Sequence, residues 1–437
     1  MKLSAALRLT SSPRLALVGA GGKTTALFSL ARQYPCALIT TTTHLAVEQL
    51  NKADYRFGED DIESLDNNLP SGVIALTGEA AGDGRLAGLS VTALEALQNL
   101  AEARHLPLFI EADGSRLRPL KAPADHEPAI PPFVDSVVVV AGLSALGKPL
   151  SPEWVHRPER FASSSGLASG ETITTAALTQ VLAHPQAGLK NIPSASRRVV
   201  LLNQADTPEL QSAARGMVKE LLAVYHAVII ASLNPENDSP PIIYAVHEPV
   251  AGIVLAGGEA RRLGQPKQLL EWDGELLVHR VARVALEAGL SPVVVVTGAY
   301  AEQVAAGVSD LPLRVVENKS WREGQSSSIR AGLEVLPTEV GAAIFLLADQ
   351  PKIPPGLAQS LVETHTGTLA PIVAPLVNGQ RGNPVLFDRE TFHDLCALTG
   401  DVGGRALFAH YPITWVPWHD PSVLVDIDTA SDLAKLT

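Results

Sequence analysis

Short runs of Val, Ile and Leu recur along the chain, separated by longer segments of mixed polarity, as expected for strands alternating with helices. In the first half these runs are residues 15–18, 37–39, 73–76, 108–110, 137–140, 199–202 and 228–230. They are continuous rather than alternating, which suits parallel strands covered on both faces. A second series follows at 252–255, 293–296, 314–316, 344–347, 371–374 and 384–386, with a helical pattern over 276–288 among the intervening segments. The pattern predicts an α/β fold class with two successive doubly wound domains.

Between the two series the stretch Asn234-Pro-Glu-Asn-Asp-Ser-Pro-Pro241 is polar and rich in turn formers. A strand-like 242–246 and then His247-Glu-Pro249 lead into the second series, so the boundary is expected near residue 248, giving domains 1–247 and 248–437. A chain of 437 residues exceeds what one core usually supports. The halves share no motif, which reads as a fusion.

Composition narrows the function classes. With 46% apolar and 18% charged residues the chain can bury large cores. A net charge of -12 argues against a surface that coats nucleic acid, which needs clustered Lys and Arg. The apolar run 137–146 is among the longest and falls well short of the roughly 20 residues a membrane helix needs, so no membrane span is expected. Arg8 and Arg14 interrupt the weakly apolar N-terminus, which does not read as a signal peptide. Cys36 and Cys396 are distant and lack metal-ligand spacing, consistent with a cytoplasmic protein without disulfides.

The sharpest chemistry lies in the second half. Leu255-Ala256-Gly257-Gly258 follows the first strand of its domain, with Arg262, Gly264 and Lys267 after it. Glycines there remove the Cβ atoms that would keep backbone N–H groups from a triphosphate, and Arg262 and Lys267 can pair with phosphate oxygens. A tight strand-to-helix turn flanked by solvated basic residues is the simpler alternative for such a pair of glycines. Asp349 closes an apolar strand, where ligands collect in open α/β sheets, and can hold Mg²⁺ or merely cap a turn before Pro351. Ser326, Ser327 and Ser328 precede an expected helix over 329–336, so they are expected either as ordinary caps or as anion ligands.

The whole run LAGGEARRLGQPK resembles the signature of the MobA-like nucleotidyltransferases, over essentially all of 251–437. Four more segments carry the likeness: Gly324-Gln-Ser-Ser-Ser-Ile329, Ala348-Asp-Gln-Pro351, Gly382-Asn383-Pro-Val385 and Asp426-Ile-Asp428-Thr429. Within that group the chain is most similar to the MocA-type molybdenum-cofactor cytidylyltransferases. The resemblance implies a Rossmann-like domain that moves a nucleotide from an NTP, CTP being favoured, onto molybdopterin. It implies Mg²⁺ on Asp349 and Asp428, leaving-group stabilisation by Arg262 and Lys267, and phosphate cradling by the amides of 256–258. Gly382, Asn383, Asp401 and Arg405 are expected near the pterin substrate. Leu-Ala-Gly-Gly departs from the usual MocA Leu-Ala-Ala-Gly and matches the related guanylyltransferases, so GTP stays open. A sugar-phosphate or isoprenoid nucleotidyltransferase is the second enzyme reading.

In the first half Gly19-Ala-Gly21-Gly22-Lys23-Thr24-Thr25 joins a strand to a helical stretch, the placement a phosphate loop needs. Lys23 would reach phosphates and Thr24 would face Mg²⁺, although Leu17 occupies the first-glycine position of the full Walker spacing. Glu111 and Asp113 close a further apolar strand, as acids that order Mg²⁺ or water do, or as an ordinary strand-end turn. Asn203-Gln-Ala-Asp206 resembles the guanine-reading Asn-Lys-x-Asp of GTPases, with Gln204 in place of lysine. His44, His126 and His156 match no compact ligand spacing and are assigned no metal.

Residues 1 to about 245 resemble the YqeC-type selenium-dependent hydroxylase accessory proteins through GAGGKTT, Thr40 to Thr43 with His44, IEADGS, 142–151 and His156-Arg-Pro158. That resemblance implies a P-loop-like domain binding ATP or GTP and, as partners, apo molybdenum hydroxylases. A nucleotide-gated carrier or insertion chaperone is the non-enzymatic alternative for this half.

Overall fold

Each apolar run falls on a strand of one of two sheets in the computed structural model, which describes residues 1–65, 67–82, 84–233, 241–259, 266–427 and 432. The chain divides into two compact units, Met1–His247 and Glu248–Thr437.

In the first unit the main sheet is built from β1 (Arg14–Gly19), β2 (Cys36–Thr41), β3 (Tyr55–Phe57), β4 (Gly72–Leu76), β5 (Leu108–Glu111), β6 (Ser136–Gly142), β7 (Arg197–Asn203), β8 (Ala227–Ser232) and β9 (Ile242–His247). Among the described residues the order is β9-β8-β7-β6-β1-β5-β2-β4-β3. All neighbours are parallel except β8 and β9. Val137, Val138, Val139 and Val140 are all buried, so neighbouring residues that point to opposite faces are both covered, and the continuous apolar run is explained. Parallel strands also put their carboxyl ends on one rim, which gathers Gly19, Glu111, Gly142, Asn203 and Ser232. Helix α1 (Lys23–Ala31) starts at that rim.

The second unit contains β10 (Val250–Ala256), α2 (Leu277–Glu287), β11 (Val293–Thr297), β12 (Arg314–Glu317), α3 (Gln325–Leu333), β13 (Ala342–Leu347), β14 (Ile372–Val377), β15 (Gln380–Arg381), β16 (Val385–Asp388) and β17 (Ile413–Trp418). The sheet order is β12-β11-β10-β13-β16-β14-β15, with β17 beside β14. Val254, Val295 and Ile344 enter one core with Val278, Val281 and Ala282 of α2. Their chain neighbours Ile253, Val294 and Phe345 enter another with Ile329 and Leu333 of α3. Each strand thus feeds two cores by its period of two, and helices cover both faces. A fully buried Val or Ile contributes about 1.5–3 kcal/mol, so the sheet is the stable frame on which the loops rest.

Wholly parallel pairing does not hold. β13 and β16 are antiparallel, as are β14 and β16, and β8 and β9. After β14 the chain reverses at Asn378-Gly379, whose φ values of 51° and 78° meet the two-residue hairpin requirement for left-handed backbone at both positions. The helix expected over 329–336 is instead Gln325–Leu333 with Gly324 as its N-cap, so the three serines lie inside its first turns and not ahead of it. The reason is local: the single proton of Ser327 Oγ has the Gly324 carbonyl at 2.8 Å and the Ser320 carbonyl at 3.0 Å as acceptors, tying the hydroxyl to the preceding turn.

Candidate functional site: a glycine-lined cleft in the second unit and a phosphate-loop rim in the first

Where β10 ends, Gly257 is packed closely. A Cβ there would stand 3.2 Å from Ser328 Oγ and 3.5 Å from the Thr297 carbonyl oxygen, so a bare backbone suits the position. Gln268, only 4% exposed, reaches back under the loop. Its Nε2 donates to the carbonyls of Ala256 at 3.2 Å and Gly258 at 3.1 Å, which ties the two sides of the loop to one side chain. Leu255, Ala256, Gly257, Gly258, Lys267, Ser328, Asp349 and Asp401 all line one cleft of ≈ 650 Å³, joined by Glu259, Gln268 and the segment Trp321 to Gln325.

The structure therefore brings together residues taken from four separate motifs. Lys267 Nζ lies 3.8 Å from Asp349 Oδ2. The Asp349 carbonyl accepts the Ile427 N–H at 3.1 Å, and Gln350 Nε2 donates to Asp426 Oδ1, so the C-terminal segment is clasped to the end of β13. Ile427 is fully buried and packs with Leu270 and Leu277, beside the turn that carries Lys267 and Gln268. Arg262, Gly264 and Asp428 lie outside the described residues.

Of the serines, Ser328 lines the cleft, whereas Ser326 Oγ donates to the Gly400 carbonyl at 2.7 Å and Ser327 is engaged as above. Asn318, buried, donates to the hydroxyls of Ser327 at 2.8 Å and Ser328 at 3.0 Å. Asp401 Oδ1 accepts the Gln325 N–H at 3.3 Å, so this acid serves the start of α3. A second hollow of ≈ 310 Å³ shares Leu255, Gln325 and Leu347 with the first and is lined by Gly382, Asn383, Arg381, Arg405, Phe387 and Phe408. The site is thus two adjoining lobes, one glycine-lined and one bearing aromatic rings and guanidinium groups.

Among the described residues the first lobe holds no group of three or more carboxylates, histidines or cysteines placed to bind a metal ion. Its described lining holds four carboxylates, Glu259, Glu323, Asp349 and Asp401, against two cations, Lys267 and Arg322. A triphosphate entering among those acids needs its charge offset, and carboxylate and phosphate oxygens are the ligands Mg²⁺ prefers.

The first unit presents a second constellation. Gly21 and Gly22 have φ of 82° and 128°, and Cβ atoms there would meet the Gly142 backbone at 2.4 Å and Asn203 Nδ2 at 2.2 Å, so the loop admits only glycine. Gly19 N–H donates to Asp113 Oδ2 at 3.0 Å. Lys23 is buried and donates to the Gly19 carbonyl at 2.7 Å, with Asp113 Oδ1 at 3.3 Å and Glu111 Oε1 at 3.8 Å. Thr24 Oγ1 donates to Glu111 Oε2 at 2.9 Å, and Thr25 follows in the same helical turn. Burial pushes the Glu111 carboxyl up, against the pull of Lys23 and the Thr24 hydrogen bond.

Behind the loop the charges continue. Lys121 Nζ contacts Asp113 Oδ2 at 2.8 Å and Glu127 Oε2 at 2.9 Å, and Arg157 forks onto both oxygens of Glu127 at 2.7 and 3.1 Å. Burial raises the Glu127 carboxyl, yet the bonds from Arg157 and Lys121 outweigh it and hold the group at about 2. His156, half-buried beside Arg157 and Lys121, is lowered to about 4 by burial first and those cations second. Lys121 and Glu127 were not legible as site residues, because no spacing marks a charge that becomes buried, and Arg157 stood out only as part of His156-Arg-Pro158. Gln268 was adjacent to a recognised lysine, and only its contacts reveal its role.

Fold and sites together define a two-unit α/β protein whose second unit is a nucleotidyltransferase domain. Residues 15–159 match the YqeC protein family, and residues 252–414 match the MobA-like NTP transferase domain family. A relative named "Uncharacterized protein YqeC" from Escherichia coli K12 is 37% identical over 195 residues, 44% of this chain and 75% of that protein. Nicotine blue oxidoreductase of Paenarthrobacter nicotinovorans is 30% identical over 197 residues, 43% of this chain and 96% of that protein. A "Probable molybdenum cofactor guanylyltransferase" of Bacillus cytotoxicus is 29% identical over 137 residues, 30% of this chain and 64% of that protein. The chain belongs to the YqeC family through its first unit and to the MobA-like NTP transferases through its second. Among the described residues no helix is long and apolar enough to cross a membrane.

Proposed function

We propose that the second unit transfers a nucleotide, CMP in the favoured reading, from an NTP to molybdopterin. A phosphate oxygen of the acceptor forms a bond to the α-phosphorus, the bond to the β-phosphate oxygen breaks, and pyrophosphate leaves. The observation that carries this reading is the pair of adjoining lobes: glycine amides, Lys267 and Asp349 in one, Arg381, Arg405 and phenylalanine rings in the other. The first suits a triphosphate and the second a flat anionic acceptor. The molybdenum-cofactor relative supports the pterin as acceptor, and its guanylyl specificity, with Gly257, keeps GTP as the alternative donor.

The chain's own groups would do positioning and charge stabilisation, since such transfers need no protein nucleophile. Gln268 holds the loop so that its amides face the phosphates, and Lys267 neutralises charge building on the leaving group. Asp349, with Asp428 as the proposed second ligand, would hold Mg²⁺, which when bound offsets the triphosphate charge. The test is incubation of the protein with molybdopterin and each NTP, followed by identification of the product. A cytosine dinucleotide with stoichiometric pyrophosphate is expected. Transfer only to sugar or isoprenoid phosphates would overturn the acceptor. A redox reaction with no nucleotide adduct would place this unit with its oxidoreductase relative.

For the first unit we infer binding of an NTP on the rim formed by 19–25, in the service of molybdenum hydroxylase maturation. The support is the buried Lys23, the glycine-only backbone and the Thr24–Glu111 pair, a hydroxyl and carboxylate that fit Mg²⁺. Lys23-dependent turnover stimulated by an apo-hydroxylase supports an enzyme, and tight binding without turnover supports the carrier reading.

A further inference from the structure

We propose that Gln325 is a catalytic residue of the transfer, donating hydrogen bonds from its carboxamide nitrogen to the phosphates of both substrates where they meet. This rests on the nucleotidyl-transfer reading of the second unit and adds to it the group that holds the reacting phosphates together. Among the described residues three line both lobes, Leu255, Gln325 and Leu347, and of these Gln325 alone has a polar side chain. The α-phosphorus of a donor in the glycine-lined lobe and the phosphate oxygen of an acceptor in the aromatic lobe have to meet at that shared wall for a bond to form between them. Both partners are anionic, so they repel as they approach. A primary amide carries two N–H donors on one nitrogen, one for an oxygen on the α-phosphorus and one for an oxygen of the acceptor phosphate.

The residue is held from two directions. Gln325 opens α3, and its N–H donates to Asp401 Oδ1 at 3.3 Å while the next N–H, of Ser326, donates to the Gly400 carbonyl at 3.4 Å. Gly324, with φ of 106°, lies so close to the same segment that a Cβ on it would stand 2.5 Å from the Asp401 backbone. The first two amides of the helix are thus engaged by 400–401, and the side chain of Gln325 supplies the donors at the wall. That side chain lies over Gly403, where a Cβ would stand 2.5 Å from Gln325 Oε1 and 3.8 Å from Nε2. Gly403 has φ of -92°, which any residue adopts, so a glycine there serves space and not backbone freedom. The oxygen end of the amide is seated against bare backbone, and the nitrogen end is the farther from it. As the acceptor oxygen bonds to the α-phosphorus and the bond to the β-phosphate oxygen breaks, charge shifts among the phosphate oxygens. A fixed N–H dipole there stabilises the transition state without giving up a proton.

The experiment measures steady-state transfer from CTP and from GTP to molybdopterin by the full chain, with each substrate varied in turn. Gln325→Ala is expected to lower kcat by about a hundredfold with both KM values changed by less than about threefold, the signature of a donor that acts in the transition state. Gln325→Glu keeps the shape, loses both N–H donors and sets a carboxylate against two phosphates, so its loss at neutral pH should be larger still. Its activity relative to the wild type should then rise as pH falls and the carboxyl takes up a proton that it can donate. A residue that merely holds the helix would show no such pH dependence. Gly403→Ala should lower kcat severalfold by displacing the amide, with no further loss when it is combined with Gln325→Ala. Additive losses, a near-normal kcat in Gln325→Ala, or a loss confined to one KM overturns the assignment of Gln325 and leaves the transferase reading intact. Absence of a dinucleotide product from the wild-type chain with any NTP overturns that reading itself.

Discussion

Lys267 and Asp349 approach to 3.8 Å inside the glycine-lined cleft, longer than a hydrogen bond and short enough for a strong charge interaction. The lysine shields a carboxylate that would otherwise repel an incoming triphosphate. In the proposed reaction a divalent cation held by Asp349 would leave the Lys267 ammonium to pair with phosphate oxygens.

Asp349→Ala is therefore expected to lower transfer by on the order of a thousandfold, since several kcal/mol of charge stabilisation disappears with the metal ligand. Pyrophosphate release and Mn²⁺ binding measure the loss, and calorimetric unfolding of the first unit should be unchanged. Near-normal transfer would refute the metal assignment.

Gln268→Leu removes both bonds that hold the Ala256 and Gly258 carbonyls in the loop. At about 1 kcal/mol for each bond, kcat/KM for the NTP should fall by at least tenfold, mainly through KM, with the acceptor KM little changed. An equal loss for both substrates would indicate a collapsed cleft.

Lys23→Ala is expected to remove nucleotide binding by the first unit and to leave transfer by the second intact. Glu111 then loses its buried counter-charge and Asp113 keeps only Lys121, so some loss of stability in the first unit should accompany it. Equilibrium dialysis beside a transfer assay separates the two readouts.

Glu127→Gln tests the charge chain behind the phosphate loop. The native carboxyl sits at about 2, below its ordinary value near 4.5, so its stabilisation is present above about pH 4.5 and is lost as pH falls toward 2. The variant should be less stable at neutral pH by about 3 kcal/mol, because Arg157 loses its carboxylate partner and Lys121 keeps only Asp113. Unfolding curves should converge as the pH is lowered through that window, and a constant difference would sink this assignment.

The strand positions were legible because a parallel strand covered on both faces must be apolar at consecutive residues, and 137–140 shows this plainly. The glycines 19, 21 and 22 were legible because close approach of neighbouring atoms excludes a side chain there, whereas a Cβ at Gly257 would be only tightly accommodated and one at Gly258 would meet nothing. The hairpin at Asn378-Gly379 was written in the sequence and passed over, and with it the antiparallel half of the second sheet. The serines were misplaced relative to α3 because a serine in the first turn and a serine just ahead of it look alike until the hydroxyl's partner is known.

What the sequence determined by itself is local: which segments are strands, where the backbone must be bare, and which acids and lysines stand at strand ends. What tertiary structure decided is pairing across long separations. Lys121 meets Asp113 and Glu127, Gln268 reaches beneath the loop it follows, and Ser232 steadies Asp206 from the neighbouring strand. Such partners carry no periodicity, because a charge or amide finds its counterpart through sheet order and burial, and neither is encoded in the spacing of any one segment.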